Sequence, residues 1–202
     1  MTPEQRKQLF TLLLLLTVCV APFALSWYLL SFTDVSKIKI AHNGELIDPP
    51  RPLEDIQLYN PAAPGSEEFF LHGKWSLVYL LDGPCDRDCE QNIYRMRQIR
   101  LATNKYAHRV QRVVIHTADG TDLFNAQQIR DYQGQLMLSY GLLDKPEYQG
   151  LFQIRPEDQP FSRQRLYLID PLGNLMMMYE PGIDPRGIIK DMTRLLKYSR
   201  LG

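Results

Sequence analysis

From Leu9 to Leu30 the chain carries no charged residue, and Leu12 to Leu16 is unbroken leucine. A run of this length matches the hydrocarbon core of a bilayer, which takes roughly 20 apolar residues to cross as a helix. No water reaches that core to satisfy amides and carbonyls, so a single span must close its own backbone hydrogen bonds as an α-helix. The expectation is a transmembrane anchor over residues 9–30, preceded by a short cytoplasmic amino terminus, residues 1–8. Arg6 and Lys7 on the near side favour an amino terminus inside and a remainder in the periplasm or an equivalent outer compartment, while Lys37 and Lys39 oppose that orientation. A cleaved signal peptide is the competing reading. Against it stand the length of the run, beyond the roughly 7 to 15 residues of a signal core, and the lack of an A-x-A exit.

The chain beyond the span suits one domain better than two. Hydrophobic residues make up 45% and charged residues 23%, with a formal net charge of zero, so no global field draws the chain to nucleic acid. The three cysteines are too few for a disulfide scaffold, and Cys19 lies within the apolar run. That leaves Cys85 and Cys89 as the one pair beyond the anchor.

Periodicity places the pair. Trp75 to Leu81 reads as a buried strand, Asp82-Gly83-Pro84 breaks it, and Glu90 to Tyr106 carries Ile93, Met96, Ile99, Ala102 and Tyr106 at helical spacing. Val110 to Ile115, ending at His116, is a second strand, and the βαβ unit so formed is right-handed with parallel strands. Upstream, His42-Asn43-Gly44 between Ile38–Ile40 and Glu45–Ile47 predicts a hairpin, followed by a stretch whose prolines 49, 50, 52, 61 and 64 predict an extended course without regular structure. Residues 119–160 are harder to read; a helix is expected over Leu123 to Tyr132, with turns near Gly134, Gly141 and Lys145-Pro146. Leu166 to Asp170 and Leu175 to Tyr179 form a hairpin through Pro171-Leu172-Gly173-Asn174. Asp184 then caps a last helix with Pro185 at its first position and Ile188, Ile189, Met192, Leu195 and Leu196 as its buried stripe. This order is the thioredoxin-like arrangement: an α/β fold with a mixed sheet flanked by helices, over residues 70–202, joined to the anchor by a hairpin and proline-rich linker over residues 31–69.

Two cysteines with three residues between them stand about one helical turn from each other, so their sulfurs can share a soft metal ion or close a disulfide. A helix amino terminus favours a thiolate, and Cys85 is the better placed; Asp86 and Asp88 work against it and Arg87 offsets them in part. Two thiolates suit Cu(I), whereas a lone pair makes a poor closed zinc site. A stable structural disulfide, or two idle buried cysteines, is the alternative. Among His42, His72, His108 and His116, only His116 falls at the carboxyl end of a strand parallel to the one leading to the thiols, where sites in open α/β sheets assemble. It is the candidate third metal ligand, with a structural role as the competing reading. Met176, Met177 and Met178 alternate faces and fit core packing better than copper binding. Arg95, Arg97, Arg100, Lys105, Arg109 and Arg112 predict a basic surface that could meet an acidic partner or lipid headgroups.

A single amino-terminal anchor, the Gly-Lys-x-x-Leu-Val-Tyr strand from Gly73, the Cys-x-x-x-Cys helix start and the Leu-Ile-Asp-Pro-x-Gly hairpin together resemble the Sco/SenC family over roughly residues 70 to 200. The resemblance implies a membrane-tethered, thioredoxin-like factor of cytochrome c oxidase assembly, acting as a Cu(I) chaperone, a thiol reductase or both. Cys85 and Cys89 would be its copper-binding and redox-active pair, and an oxidase subunit or another assembly factor its partner. The chain departs from the pattern twice. An ungapped match puts Ser162 where the family's third copper ligand, a histidine, would stand, and Asp86 replaces the proline after the first cysteine. Three functions remain open: thiol–disulfide exchange by the dithiol, copper carriage with His116 or a partner residue completing the site, and a non-catalytic interaction module that keeps the fold.

Overall fold

The computed structural model describes residues 2–32, 42–53, 56, 58–59, 71–116, 137–142, 150–161 and 164–200. The expected helix over Leu123 to Tyr132, the turns at Gly134 and Lys145-Pro146, and Ser162 lie outside them. Met1–Ala41 and His42–Gly202 are separate units. The first is helix α1, Pro3–Phe32, whose stretch from Pro3 to Tyr28 is long and apolar enough to cross a membrane. Its described apolar side chains are exposed all round, as a lipid-facing span requires. Thr11 and Thr17 return their hydroxyls to the carbonyls of Lys7 and Leu13, at 3.0 and 2.7 Å, so neither hydroxyl needs water.

The second unit is built on β3, Trp75–Leu81, which pairs in parallel with β4, Val110–His116, and antiparallel with β6, Leu166–Ile169. With β1, Glu45–Pro52, β2, Leu58–Tyr59, β5, Met137–Leu142, and β7, Asn174–Tyr179, the described sheet has the order β1-β7-β6-β3-β4-β5-β2. β3 and β4 are buried throughout; their apolar residues fill both cores, and Ser76, Gln111, Arg112 and His116 are buried among them. One face carries Leu77, Tyr79, Leu81, Val110, Val114 and Leu168 against α2, Arg87–Ala102, and α3, Pro185–Tyr198. The other carries Val78, Leu80, Val113, Ile115 and Tyr167, covered in part by Leu53, Ile56, Leu71 and Phe152. Phe152 meets Tyr167 edge to face at 5.3 Å.

Three local expectations change. The prolines at 49, 50 and 52 stand within β1 rather than in irregular chain; β1 is an edge strand with a register irregularity against β7, where a missing donor is tolerated. The first arm of the expected hairpin lies outside the described residues, and its second arm is β1 itself. Gly141, expected at a turn, is in β5, paired in parallel with His116. The long helix after the cysteines starts earlier than its apolar periodicity, because Asp86 caps it, and ends at Ala102, where Thr103 bonds back to the Arg100 carbonyl and Asn104 turns left-handed at φ 53°. A short 3₁₀ helix, Asn104–Arg109, completes the crossover.

The Asp-Pro-x-Gly turn is built by one carboxylate. Asp170 Oδ1 accepts from the amides of Leu172 and Asn174 at 2.9 and 2.8 Å, and its oxygens also receive the Asn174 side-chain amide. Gly173 is needed twice over: its φ is +87°, and an added Cβ would stand 2.7 Å from His72 Nε2. The turn's carbonyls accept from Leu53 and Gly73, holding both flanking segments. Beside β1, Asp191 of α3 accepts from the amides of Asn43 and Gly44 at 2.8 and 3.0 Å, fastening the start of this unit to its last helix.

Arg165, fully buried, forks onto Glu180 at 2.9 and 2.7 Å and forms an ion pair with buried Asp158 at 2.9 Å. Burial opposes its charge, but the hydrogen bonds to both carboxylates outweigh it and hold the guanidinium pKa above its ordinary value. Burial also pushes the Asp158 carboxyl up, yet the Arg155 amide and Arg165 outweigh that and leave it below the ordinary carboxylate range. Arg155 bridges Glu180 and Glu45, so the segment 150–161 is stitched to the ends of β1, β6 and β7.

Two measurements check this scaffold. Asp170→Ala should lower stability to urea by about 1 to 3 kcal/mol, since it orphans turn donors. For the buried pair the sign follows from the lowered Asp158 pKa: its stabilisation is present above about pH 4 and is lost as pH falls through the lowered value. Arg165→Met should cost about 3 to 5 kcal/mol and move the acid-unfolding midpoint to higher pH, both read by circular dichroism.

Candidate functional site

β3 ends at Leu81, and Asp82-Gly83-Pro84 turns the chain outward before the helix. Gly83 takes φ +78°, a conformation that L side chains rarely adopt. Asp86 is the helix cap, its Oδ1 accepting from the Cys89 amide at 2.9 Å. Cys85 therefore stands one residue before the cap and Cys89 within the first turn. The two form a disulfide with their Cα atoms 5.2 Å apart. Their surroundings differ. Cys89 is fully buried in the core between β3 and α2, whereas Cys85 is half-exposed at its edge.

The field at this turn is negative. Tyr79, on β3 beneath the helix start, has its hydroxyl pKa raised mainly by burial; its hydrogen bond with Asn92 opposes this, and the carboxylates of Asp86 and Asp88 add to the rise. The same carboxylates oppose a thiolate at a reduced Cys85. Asp86 moreover takes for itself a helix amide that would otherwise stabilise an anion.

His116 is buried at the carboxyl end of β4, in register with Leu81 of β3 and on the same sheet face as Leu81 and the disulfide. It thus shares the face and the strand end of the two cysteines. Among the described residues, however, no three His, Cys, Asp or Glu side chains form a group arranged to hold a metal ion. His42 bonds the Gly44 carbonyl, His72 lies against the Gly173 turn, and His108 is exposed on the 3₁₀ helix. Met177 and Met178 enter opposite cores, and Met177 Sδ receives the Tyr179 hydroxyl at 3.7 Å, which is packing.

Sequence reasoning missed Gln164. Its backbone is left-handed, with φ 51°, and its side-chain amide donates to Asp88 Oδ2 at 3.1 Å. The segment before β6 is thereby brought against the residues between the two cysteines. A glutamine in a loop carries no signal of such a contact; only the fold brings positions 88 and 164 together.

Residues 75–199 match the family described as transmembrane-like, thioredoxin-like, C-terminal domain, and the chain belongs to that family. Similar solved structures include a SCO1/SenC family lipoprotein from Bacillus anthracis str. Ames, at 19% identity and TM-score 0.56, covering 74% of this chain and 98% of that one. BsSco, of the Sco family of cytochrome c oxidase assembly proteins, is similar at 14% identity and TM-score 0.55, covering 77% and 99%. Arabidopsis thaliana ScoI with copper bound gives 14% and 0.53, covering 71% and 97%. These likenesses confirm the thioredoxin-like fold and the resemblance to Sco/SenC structures. Curated proteins give no sequence match.

Neutralising the two carboxylates while keeping the cap tests the electrostatic account. In the reduced protein, Asp86→Asn/Asp88→Asn should speed alkylation of Cys85 by iodoacetamide about threefold at pH 7 and shift the pH midpoint of that reaction downward.

Proposed function

We propose that this protein is a membrane-tethered, Sco/SenC-like factor of cytochrome c oxidase assembly whose Cys85–Cys89 pair exchanges thiols and disulfides with a partner. The observation that carries the chemistry is the unequal burial of two cysteines joined in a disulfide at a strand-to-helix turn. In the reduced form the reachable sulfur is Cys85. Its thiolate attacks one sulfur of the partner's disulfide, forming a mixed disulfide and releasing the partner's first thiolate. Cys89 then attacks Cys85 Sγ, closing the internal disulfide and releasing the second thiolate. Two electrons and two protons pass to the partner, and a dithiol reductant returns the pair to its starting state. Tyr79, Asn92 and the Asp86 cap hold the helix start over which the exchange occurs.

The oxidase assignment comes from the Sco family likeness, and an oxidase subunit or another assembly factor is the proposed partner. The proposed organisation is a cytoplasmic segment 1–8, an anchor 9–30, a linker 31–69 and a domain 70–202 on the outer, periplasmic side of the membrane. A second reading is favoured by relatives with copper bound: the reduced pair carries Cu(I) as cargo, with His116 or a partner side chain as third ligand. Two thiolates fit a soft ion, while Ser162 in place of the family's histidine weakens the site.

The readings separate on three variants. Cys85→Ser should abolish reduction of a model disulfide, a loss of at least about a hundredfold, and Cys89→Ser should accumulate a mixed disulfide visible by mass spectrometry. Anaerobic Cu(I) titration of the reduced chain adds the second arm. No binding removes the carrier reading, and unchanged affinity in His116→Ala removes His116 from it.

A further inference from the structure

Charge along this chain is segregated. Between Gln91 and His116 there are six cations, Arg95, Arg97, Arg100, Lys105, Arg109 and Arg112, and no acid; from Met192 to Gly202 there are three, Arg194, Lys197 and Arg200, again with no acid. All 23 acidic residues lie elsewhere. The fold brings the carboxyl-terminal parts of these two runs to one end. α2 leaves the dithiol and runs back along the sheet, whereas β7 ends beside the start of β6, so α3 also begins at the dithiol end and runs the same way. Arg109 locks the two runs together by donating to the carbonyls of Leu196 and Ser199 at 2.8 and 3.0 Å.

The surface so formed is not only cationic. Leu101 is 48% exposed and Tyr198 74% exposed, beside exposed Lys105, Lys197 and Arg200. The ammonium of Lys105 lies 5.1 Å from the Tyr106 ring centre and that of Lys197 lies 5.4 Å from the ring of Tyr198. Burial first, and then the neighbouring charges of Arg100 and Arg97, lower the pKa of the buried Arg112 guanidinium to about 10. An exposed tyrosine, Tyr198, and a partly buried one, Tyr106, interleaved with lysines match the headgroup layer of a bilayer, which takes amphipathic rings together with cations. Read as an anchor, Pro3–Tyr28 would keep the protein beside that layer.

We propose that the end of the domain formed by Leu101, Lys105, Lys197, Tyr198 and Arg200 is a docking surface for anionic phospholipid headgroups. Docked there, the domain turns the opposite end of its sheet, with Cys85, away from the bilayer and toward a partner. The proposal rests on the reading of α1 as a membrane anchor.

Hydrogen exchange on the full chain reconstituted in vesicles tests it. Phosphatidylcholine alone is compared with phosphatidylcholine containing phosphatidylglycerol, and flotation reports the anchor separately. The expected result is flotation in both lipids, with exchange at residues 101–109 and 194–200 slowed about tenfold or more only where phosphatidylglycerol is present. That protection should fall away at high salt and in Lys105→Gln/Lys197→Gln/Arg200→Gln, whose exposed positions let the domain stay folded, as its circular dichroism should show. Flotation with equal exchange in the two lipids overturns the docking surface and spares the anchor. Failure to float overturns both. Protection that appears only on adding an acidic protein overturns the lipid assignment.

Discussion

β3 is hydrogen-bonded on both sides, parallel to β4 and antiparallel to β6, and all seven of its residues are buried. That constraint decides where everything else can be. A strand enclosed on both edges and both faces cannot slip, because a one-residue shift would move Leu77, Tyr79 and Leu81 from the helix-covered core to the opposite one. Leu81 is thus a fixed point, and the turn 82–86 springs from it. The parallel partner β4 forces the chain to cross back over the sheet, which α2 does, and the crossover delivers Cys85 and Cys89 to the carboxyl end of the strand. The antiparallel partner β6 brings Gln164 to the same end, where its amide reaches Asp88.

The same frame sorts charge. Asp82, Asp86, Asp88 and Glu90 gather where β3 meets α2, and the cations of the late part of α2, the 3₁₀ helix and the end of α3 gather at the other end. A net charge of zero conceals this. Whole-chain composition speaks only of a global field, whereas a partner or a surface meets the local one, set by the carboxylates at one end of the domain and the cations at the other. Close to the dithiol the negative field disfavours thiolates, and Asp86 both contributes to it and spends a helix amide on capping.

What could be read in the sequence was whatever a local pattern enforces. Trp75 to Leu81 is legible because a doubly buried strand is apolar at nearly every position, and the last helix because Asp184 and Pro185 announce its start; Asp184 indeed accepts from the Arg186 amide at 2.9 Å. The Asp-Pro-x-Gly turn is legible because one carboxylate organises it within four residues. What could not be read depends on partners distant in sequence. Pro49, Pro50 and Pro52 argue against a strand until β7 offers an edge that tolerates missing donors, and Gly141 argues for a turn until β4 offers a parallel neighbour. The arginine series misled in part for the same reason. Arg100 bonds the Val110 carbonyl, Arg109 closes the end of α3 and Arg112 is buried, so half of an apparent surface stripe is spent inside the fold.

The pair itself was legible, but its asymmetry was not, and the proposed chemistry turns on the asymmetry. Equal exposure would let either sulfur meet a partner and would leave a mixed disulfide with no preferred way forward. In the proposed exchange, with Cys89 enclosed by β3 and α2 and Cys85 at the edge, a partner's sulfur would meet Cys85, and the buried thiol 5.2 Å away, Cα to Cα, would release it. Exchange needs nothing further from the chain. Copper carriage needs more, since a pair of thiolates with one sulfur enclosed must borrow another donor to hold the ion. His116, on the same face and at the same strand end, is the side chain proposed for that role.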